Sequence, residues 1–123
     1  MLTVAFVILG AAVLLGSVLA VLYLRTEGAV PAPWPLAALH SLVAVGGLFC
    51  LALALRGPLR GVEQGTASFG IIAVTLIGSA AFIGVGSLVT HLLKRRLPGI
   101  LIGIHATLAV GGFAILAAYV FVG

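Results

Sequence analysis

Residues 34–55 read WPLAALHSLVAVGGLFCLALAL, a run of 22 residues with one histidine and no formally charged side chain. A bilayer core about 30 Å thick is crossed by about 20 apolar residues in a helix, so this run predicts a transmembrane helix. Three further runs have the same character, at about residues 2–24, 66–93 and 97–123. The sequence therefore predicts an all-α membrane protein, a single domain over residues 1–123 with four transmembrane helices in an up-down bundle.

The composition excludes several classes of protein. The chain has 123 residues, of which 63% are hydrophobic and 7% charged, whereas soluble domains are about a quarter charged. A soluble enzyme, a disordered protein and a nucleic-acid binder are all excluded, and the lipid bilayer is the expected partner. Cys50 is the single cysteine, so a disulfide framework, a zinc cluster and a C-x-x-C-H haem attachment site are also excluded.

The six cationic side chains predict the orientation in the membrane. Alternating spans put loops 25–34 and 94–97 on one side, with Arg25, Lys94, Arg95 and Arg96. The opposite side holds both termini, Arg56 and Arg60. Cytoplasmic loops carry the excess of Lys and Arg. We therefore expect loops 25–34 and 94–97 in the cytoplasm and both termini outside, in a bacterial inner (plasma) membrane.

The second and fourth spans share a motif that indicates an internal duplication. Residues 40–47, HSLVAVGG, and residues 105–112, HATLAVGG, are identical at five of eight positions. The first and third spans align less strongly, pairing Gly10-Ala11-Ala12 with Gly78-Ser79-Ala80 and Gly16 with Gly84. The pattern predicts a two-helix hairpin present twice, as repeat 1 (1–56) and repeat 2 (66–123). Two spans per repeat preserve orientation, so a pseudo-twofold axis along the membrane normal should relate the repeats.

His40 and His105 are the candidate metal ligands. Both lie roughly 8–10 Å inside helices that start from the same side of the membrane, at 1.5 Å per residue. Facing lipid would leave an imidazole without partners in hydrocarbon, so we expect both rings at the centre of the bundle. The pair predicts one b-type haem with two histidine ligands. Small residues one and two turns further along would make room for the macrocycle; these are Ala44, Gly47, Ala109 and Gly112.

Other interpretations of these residues remain open. A buried histidine can simply hydrogen-bond a Ser, a Thr or a backbone carbonyl on a neighbouring helix, and Gly/Ala stripes also serve plain helix packing. A proton relay, a quinone pocket and a metal other than haem are further possibilities.

His91 and Arg95 lie at the cytoplasmic end of the third span, where they are typical interfacial residues. They could alternatively contact haem propionates, and His91 could replace one of the axial ligands.

The plan resembles small four-helix membrane b-type cytochromes, in which histidines in the helices clamp haem inside the bundle. The resemblance is carried by His40 with the segment 44–47, Ala-Val-Gly-Gly, and by His105 with the same segment at 109–112. It implies haem b and electron transfer. Such carriers usually have two histidine pairs, one near each face. No histidine lies toward the other face here, so a second haem is not expected.

The expected function follows from these observations. The chain would be a haem-binding electron-transfer subunit of a larger respiratory-chain complex. It would exchange electrons with a quinone or with a partner redox protein and would have no independent enzymatic activity. Two alternatives are a structural accessory subunit that packs on other membrane subunits, and a small homo-oligomeric transporter that uses histidine as a proton carrier.

Overall fold

The protein, described here over residues 1–123 by a computed structural model, consists of four α-helices and no strand. The helices are α1 (Leu2–Thr26), α2 (Trp34–Ala54), α3 (Phe69–Leu92) and α4 (Gly99–Phe121). Each is long and apolar enough to span a membrane. The predicted all-α membrane fold with four spanning helices is thus confirmed, and the chain is an integral membrane protein.

The helices end where the local sequence stops them. At the end of α1, Glu27 and Gly28 adopt left-handed backbone angles, with φ of 48° and 72°, a common way to terminate a helix. Proline stands at the start of α2 and immediately before α4, where its missing N–H costs nothing. The N–H of Thr66 donates to the carbonyl of Gly61 at 2.8 Å. The third helix begins at Phe69, three residues later than predicted.

The helices form a ring in chain order. The closest packing joins α1 to α2 and α3 to α4, so the chain forms two hairpins, while α1–α4 and α2–α3 contacts close the ring. No close backbone contact joins α1 with α3 or α2 with α4. These pairs therefore lie on the diagonals of an up-down bundle.

The two hairpins pack in matching ways. Buried residues recur in pairs at the offsets that align the two halves of the sequence, namely Ala5/Ala73, Leu9/Ile77, Ala12/Ala80, Gly47/Gly112 and Leu51/Leu116. Such recurrence is what a duplicated hairpin would produce. It supports the predicted repeats, whose common origin stays a prediction.

Burial divides the bundle into two halves. All 14 buried residues lie in segments 1–12, 47–80 and 112–123, which we call the termini side. Segments 13–46 and 81–111, which we call the histidine side, contain no buried residue. The core cluster, which includes Leu9, Leu51 and Leu116, therefore stabilises only one half of the bundle.

The two seams between the hairpins differ. In the α1–α4 seam, the ring of Phe6 stacks on Phe113 with centroids 4.9 Å apart. Nearer the other end, the Tyr23 hydroxyl donates to the carbonyl of Leu97 at 3.0 Å. No aromatic pair and no side-chain hydrogen bond crosses the α2–α3 seam. The hairpins are thus joined mainly along α1 and α4.

Candidate functional site

The site is built around His40 and His105, which occupy the same position in their helices. Each is the seventh residue, counted from Trp34 in α2 and from Gly99 in α4. A helix rises 1.5 Å per residue, so both histidines lie about 9 Å from the helix start. Because α2 and α4 start from the same end of the bundle, the two histidines share one depth.

The two rings meet between the diagonal helices. Their centroids are 6.1 Å apart, and the ring planes cross at 78°. Since α2 and α4 have no close backbone contact, the imidazoles themselves bridge the bundle at this level. The structure therefore brings the two sequence-predicted ligands together, while the metal ligation assigned to them stays a prediction.

One nitrogen of each ring is held by the neighbouring helix of its own hairpin. Nδ1 of His40 lies 2.9 Å from the carbonyl oxygen of Ala12 on α1. Nδ1 of His105 lies 2.7 Å from the carbonyl oxygen of Ala80 on α3. A carbonyl oxygen only accepts, so each Nδ1 carries a hydrogen and donates it. In the neutral ring, this tautomer leaves Nε2 with a free lone pair.

The two Nε2 atoms have no hydrogen-bond partner within the protein. No fully buried nitrogen or oxygen of a side chain lacks a partner, so both Nε2 atoms keep some accessible surface. The hydroxyls of nearby residues are committed elsewhere. Ser41, Ser87 and Thr107 donate to carbonyls one turn back in their own helices. The Nε2 atoms are thus free to bind a Lewis acid or a proton.

Two glycines that the sequence analysis did not assign to the site lie against the rings. A Cβ on Gly16 would lie 2.9 Å from Cε1 of His40, and a Cβ on Gly84 would lie 3.3 Å from Cε1 of His105. The alignment of the first and third spans pairs these glycines, and it also pairs Ala12 with Ala80. The sequence thus pairs Gly16 with Gly84, but it does not show that they face the rings.

Gly47 and Gly112 pack closely on a neighbouring helix, while the role predicted for them beside a macrocycle stays a prediction. A Cβ on Gly47 would lie 2.8 Å from Cγ of Leu9, and a Cβ on Gly112 would lie 2.8 Å from Cγ1 of Ile77. Both glycines are buried against the other helix of their own hairpin, which is the packing alternative. Ala44 and Ala109, one turn from their histidines, are half-buried.

His91 and Arg95 are not brought to the imidazole pair. His91 lies two turns beyond Gly84, the residue that touches the ring of His105, so it is about 10 Å further along α3. The alternative in which His91 replaces one of the axial ligands stays a prediction. Arg95 is exposed in the following loop, beyond His91 along the chain.

The rest of the chain offers no competing metal site. No group of three or more His, Cys, Asp or Glu side chains is placed to hold a metal ion, and Cys50 is a free, half-buried thiol. The chemistry available inside the bundle is therefore that of two imidazoles. Comparisons with known protein families, with curated proteins and with solved structures each find no match for this chain.

Proposed function

We propose that the chain binds one b-type haem between His40 and His105 and acts as an electron carrier in the membrane. The observation that carries the proposal is the facing pair of imidazoles, 6.1 Å apart, each with Nδ1 tied to a carbonyl. When bound, a haem iron with two imidazole ligands accepts and returns one electron.

The separation of the rings is compatible with the binding of one metal centre by both. A metal–nitrogen bond of about 2.0 Å and an imidazole radius of about 1.1 Å on each side add to a centroid separation of about 6 Å. The observed 6.1 Å matches this value. A packed edge-to-face pair of rings has a centroid separation in the same range, about 4.5–7 Å, so the argument for a metal rests on the free Nε2 lone pairs and not on the separation alone.

The hydrogen bonds to Ala12 and Ala80 support the same function. Histidines that bind metals almost always donate their other N–H to a carboxylate, a carbonyl or water, which fixes the tautomer and raises the basicity of the ligating nitrogen. Both histidines here donate to a carbonyl. The second ring nitrogen of each, Nε2, is then the ligand.

The pair disfavours a function in which each histidine carries its own proton. Two protonated rings 6.1 Å apart would repel by about 3 kcal/mol at an effective dielectric constant of about 20. At most one positive charge is therefore favoured between the rings. An iron centre satisfies both lone pairs at once, whereas a single proton satisfies them only by sharing.

The burial pattern bears on where electrons would enter and leave. His40 and His105 belong to the histidine side, which has no buried residue. A carrier at this depth would exchange electrons with a quinone or with a redox partner from the cytoplasmic side. One histidine pair serves one face, so we propose that the chain works inside a larger respiratory complex.

Absorption spectroscopy of the purified protein tests the proposal. We expect one haem per chain by pyridine haemochrome, with a sharp alpha band after dithionite reduction. His40→Ala and His105→Ala should each lose that low-spin spectrum. His91→Ala is the matched control and should keep full haem content, since the proposal assigns both ligands to His40 and His105 and His91 lies about 10 Å further along α3 than Gly84. A wild-type protein without Soret absorbance, or one containing only a bare metal ion by elemental analysis, would refute the proposal.

An accessory role is a second candidate, favoured by glycines that face outward. A Cβ on each of five helical glycines would meet nothing within 4 Å; these are Gly46, Gly78, Gly86, Gly103 and Gly111. Small residues on the surface of a transmembrane helix let another helix approach closely. Native electrophoresis of the tagged protein from its own membranes would distinguish the accessory role from the haem-binding role. A complex that persists in a His40→Ala/His105→Ala variant supports an accessory role without haem.

A further inference from the structure

Each imidazole lies in a small cradle on the neighbouring helix, formed by a carbonyl and by the glycine four residues later. For His40 the cradle consists of the Ala12 carbonyl and Gly16, and for His105 it consists of the Ala80 carbonyl and Gly84. The two cradles are equivalent in the aligned halves of the chain. One arrangement is therefore used twice.

The glycine is what makes the carbonyl reachable from the side. In an α-helix the carbonyl of residue i accepts from the N–H of residue i+4, so the side chain of residue i+4 stands next to that carbonyl. Any Cβ on Gly16 would be 2.9 Å from Cε1 and 3.3 Å from Nδ1 of His40. The imidazole would then have to swing away from the Ala12 carbonyl.

We infer that Gly16 and Gly84 are positioning residues that hold the two imidazole planes crossed, with each Nε2 free to bind the haem iron. The inference rests on the proposed function. Each hydrogen bond restrains the rotation of its ring, and with both bonds to the carbonyls present the planes cross at 78°. The helices α1 and α3 thereby set the relative orientation of ligands that belong to α2 and α4.

The angle between the ring planes has an electronic consequence. Rings that cross at a right angle donate equally to the two metal d orbitals that lie along the ligand axis, and these orbitals stay close in energy. A low-spin ferric haem then gives a highly anisotropic EPR signal, while parallel rings separate the orbitals and give a rhombic signal. Hydrogen bonding around the ligands is one of the ways in which a protein tunes a haem.

The experiment compares Gly16→Ala and Gly84→Ala with Gly78→Ala and Gly86→Ala. The last two are matched controls on α3, where an added Cβ meets nothing within 4 Å. Wild type and both controls should give the highly anisotropic EPR signal. Gly16→Ala should shift it toward the rhombic type, and Gly84→Ala should do so less, because its contact is 3.3 Å rather than 2.9 Å. Gly84→Ala is also the variant that the fold accommodates more easily.

A second measurement does not depend on haem. In haem-free protein labelled with ¹⁵N-histidine, NMR should detect protonated Nδ1 for His40 and His105, with His91 as the internal reference. Gly16→Ala should lose that state at His40 alone. Variants whose NMR and EPR spectra equal those of the controls would overturn the positioning role. Wild-type protein that shows protonated Nδ1 but never binds haem would instead refute the proposed function and leave the cradles intact.

Discussion

Replacing adjacent glycines by alanine separates two explanations for the Gly-Gly pairs. In α4, a Cβ on Gly111 would meet nothing within 4 Å, whereas a Cβ on Gly112 would lie 2.8 Å from Cγ1 of Ile77 and 3.2 Å from its backbone nitrogen. In α2, Gly46 is open in the same way, and Gly47 faces Leu9. The sequence alone favoured a different role for Gly47 and Gly112, as space for a macrocycle.

The expected magnitudes follow from the contacts. Alanine in place of glycine favours a helix by up to about 1 kcal/mol. The gain is the same for the two glycines of each pair, so it cancels when their alanine variants are compared. Overpacking costs typically about 1–3 kcal/mol, and it applies only to Gly47→Ala and Gly112→Ala. Gly112→Ala should cost the most, about 3 kcal/mol relative to Gly111→Ala, because a backbone atom cannot move aside. Gly47→Ala should cost about 1–3 kcal/mol relative to Gly46→Ala, since the added Cβ would lie 2.8 Å from Cγ of Leu9, which is buried in the core.

Unfolding in mixed detergent micelles, followed by circular dichroism as the SDS fraction rises, measures these differences. The same preparations are assayed for haem. Equal stability of Gly112→Ala and Gly111→Ala would refute the packing explanation. Equal stability together with a selective loss of haem from Gly47→Ala and Gly112→Ala would restore the macrocycle explanation.

Three further predictions test the fold. Tyr23→Phe should destabilise the bundle by about 1 kcal/mol, the typical net contribution of one hydrogen bond, because the bond that joins the hairpins is lost; the same SDS titration measures it. Leu116→Ala should cost about 2–5 kcal/mol, since Leu116 is fully buried, whereas Leu42→Ala on the exposed face of α2 should be nearly neutral; equal effects would contradict the core described above. In a cysteine-free background, an impermeant maleimide added outside spheroplasts should label Glu63→Cys and spare Glu27→Cys, and the reverse would invert the predicted orientation.

Much of the fold was predictable because it depends on local properties of the chain. The length of an apolar run fixes where a helix can span a bilayer, and prolines and left-handed residues fix where it ends. The predicted start of α3 was early by three residues. The equal depth of His40 and His105 was also predictable, since depth follows from counting residues along a helix.

The roles of the glycines were beyond the sequence. Gly16 and Gly47 lie on different helices, and nothing in the sequence distinguishes their surroundings. Gly16 nevertheless lies against the imidazole of His40, whereas Gly47 packs on Leu9. Whether a glycine faces an imidazole or a core side chain depends on how its helix is rotated about its own axis. The shared offset of Gly16 and Gly84 was visible, but nothing in the sequence said what these residues face.

The sequence by itself determined the number of spanning helices, their ends, and the common depth of the two imidazoles. The tertiary structure decided that the rings meet with crossed planes, that each Nδ1 donates to a carbonyl of the adjacent helix, and that only one half of the bundle has a buried core. The physical reason is that all four helices are apolar on every side, so no polar face fixes their rotation. Close packing against neighbouring helices fixes it instead, and packing depends on residues that are distant in the chain.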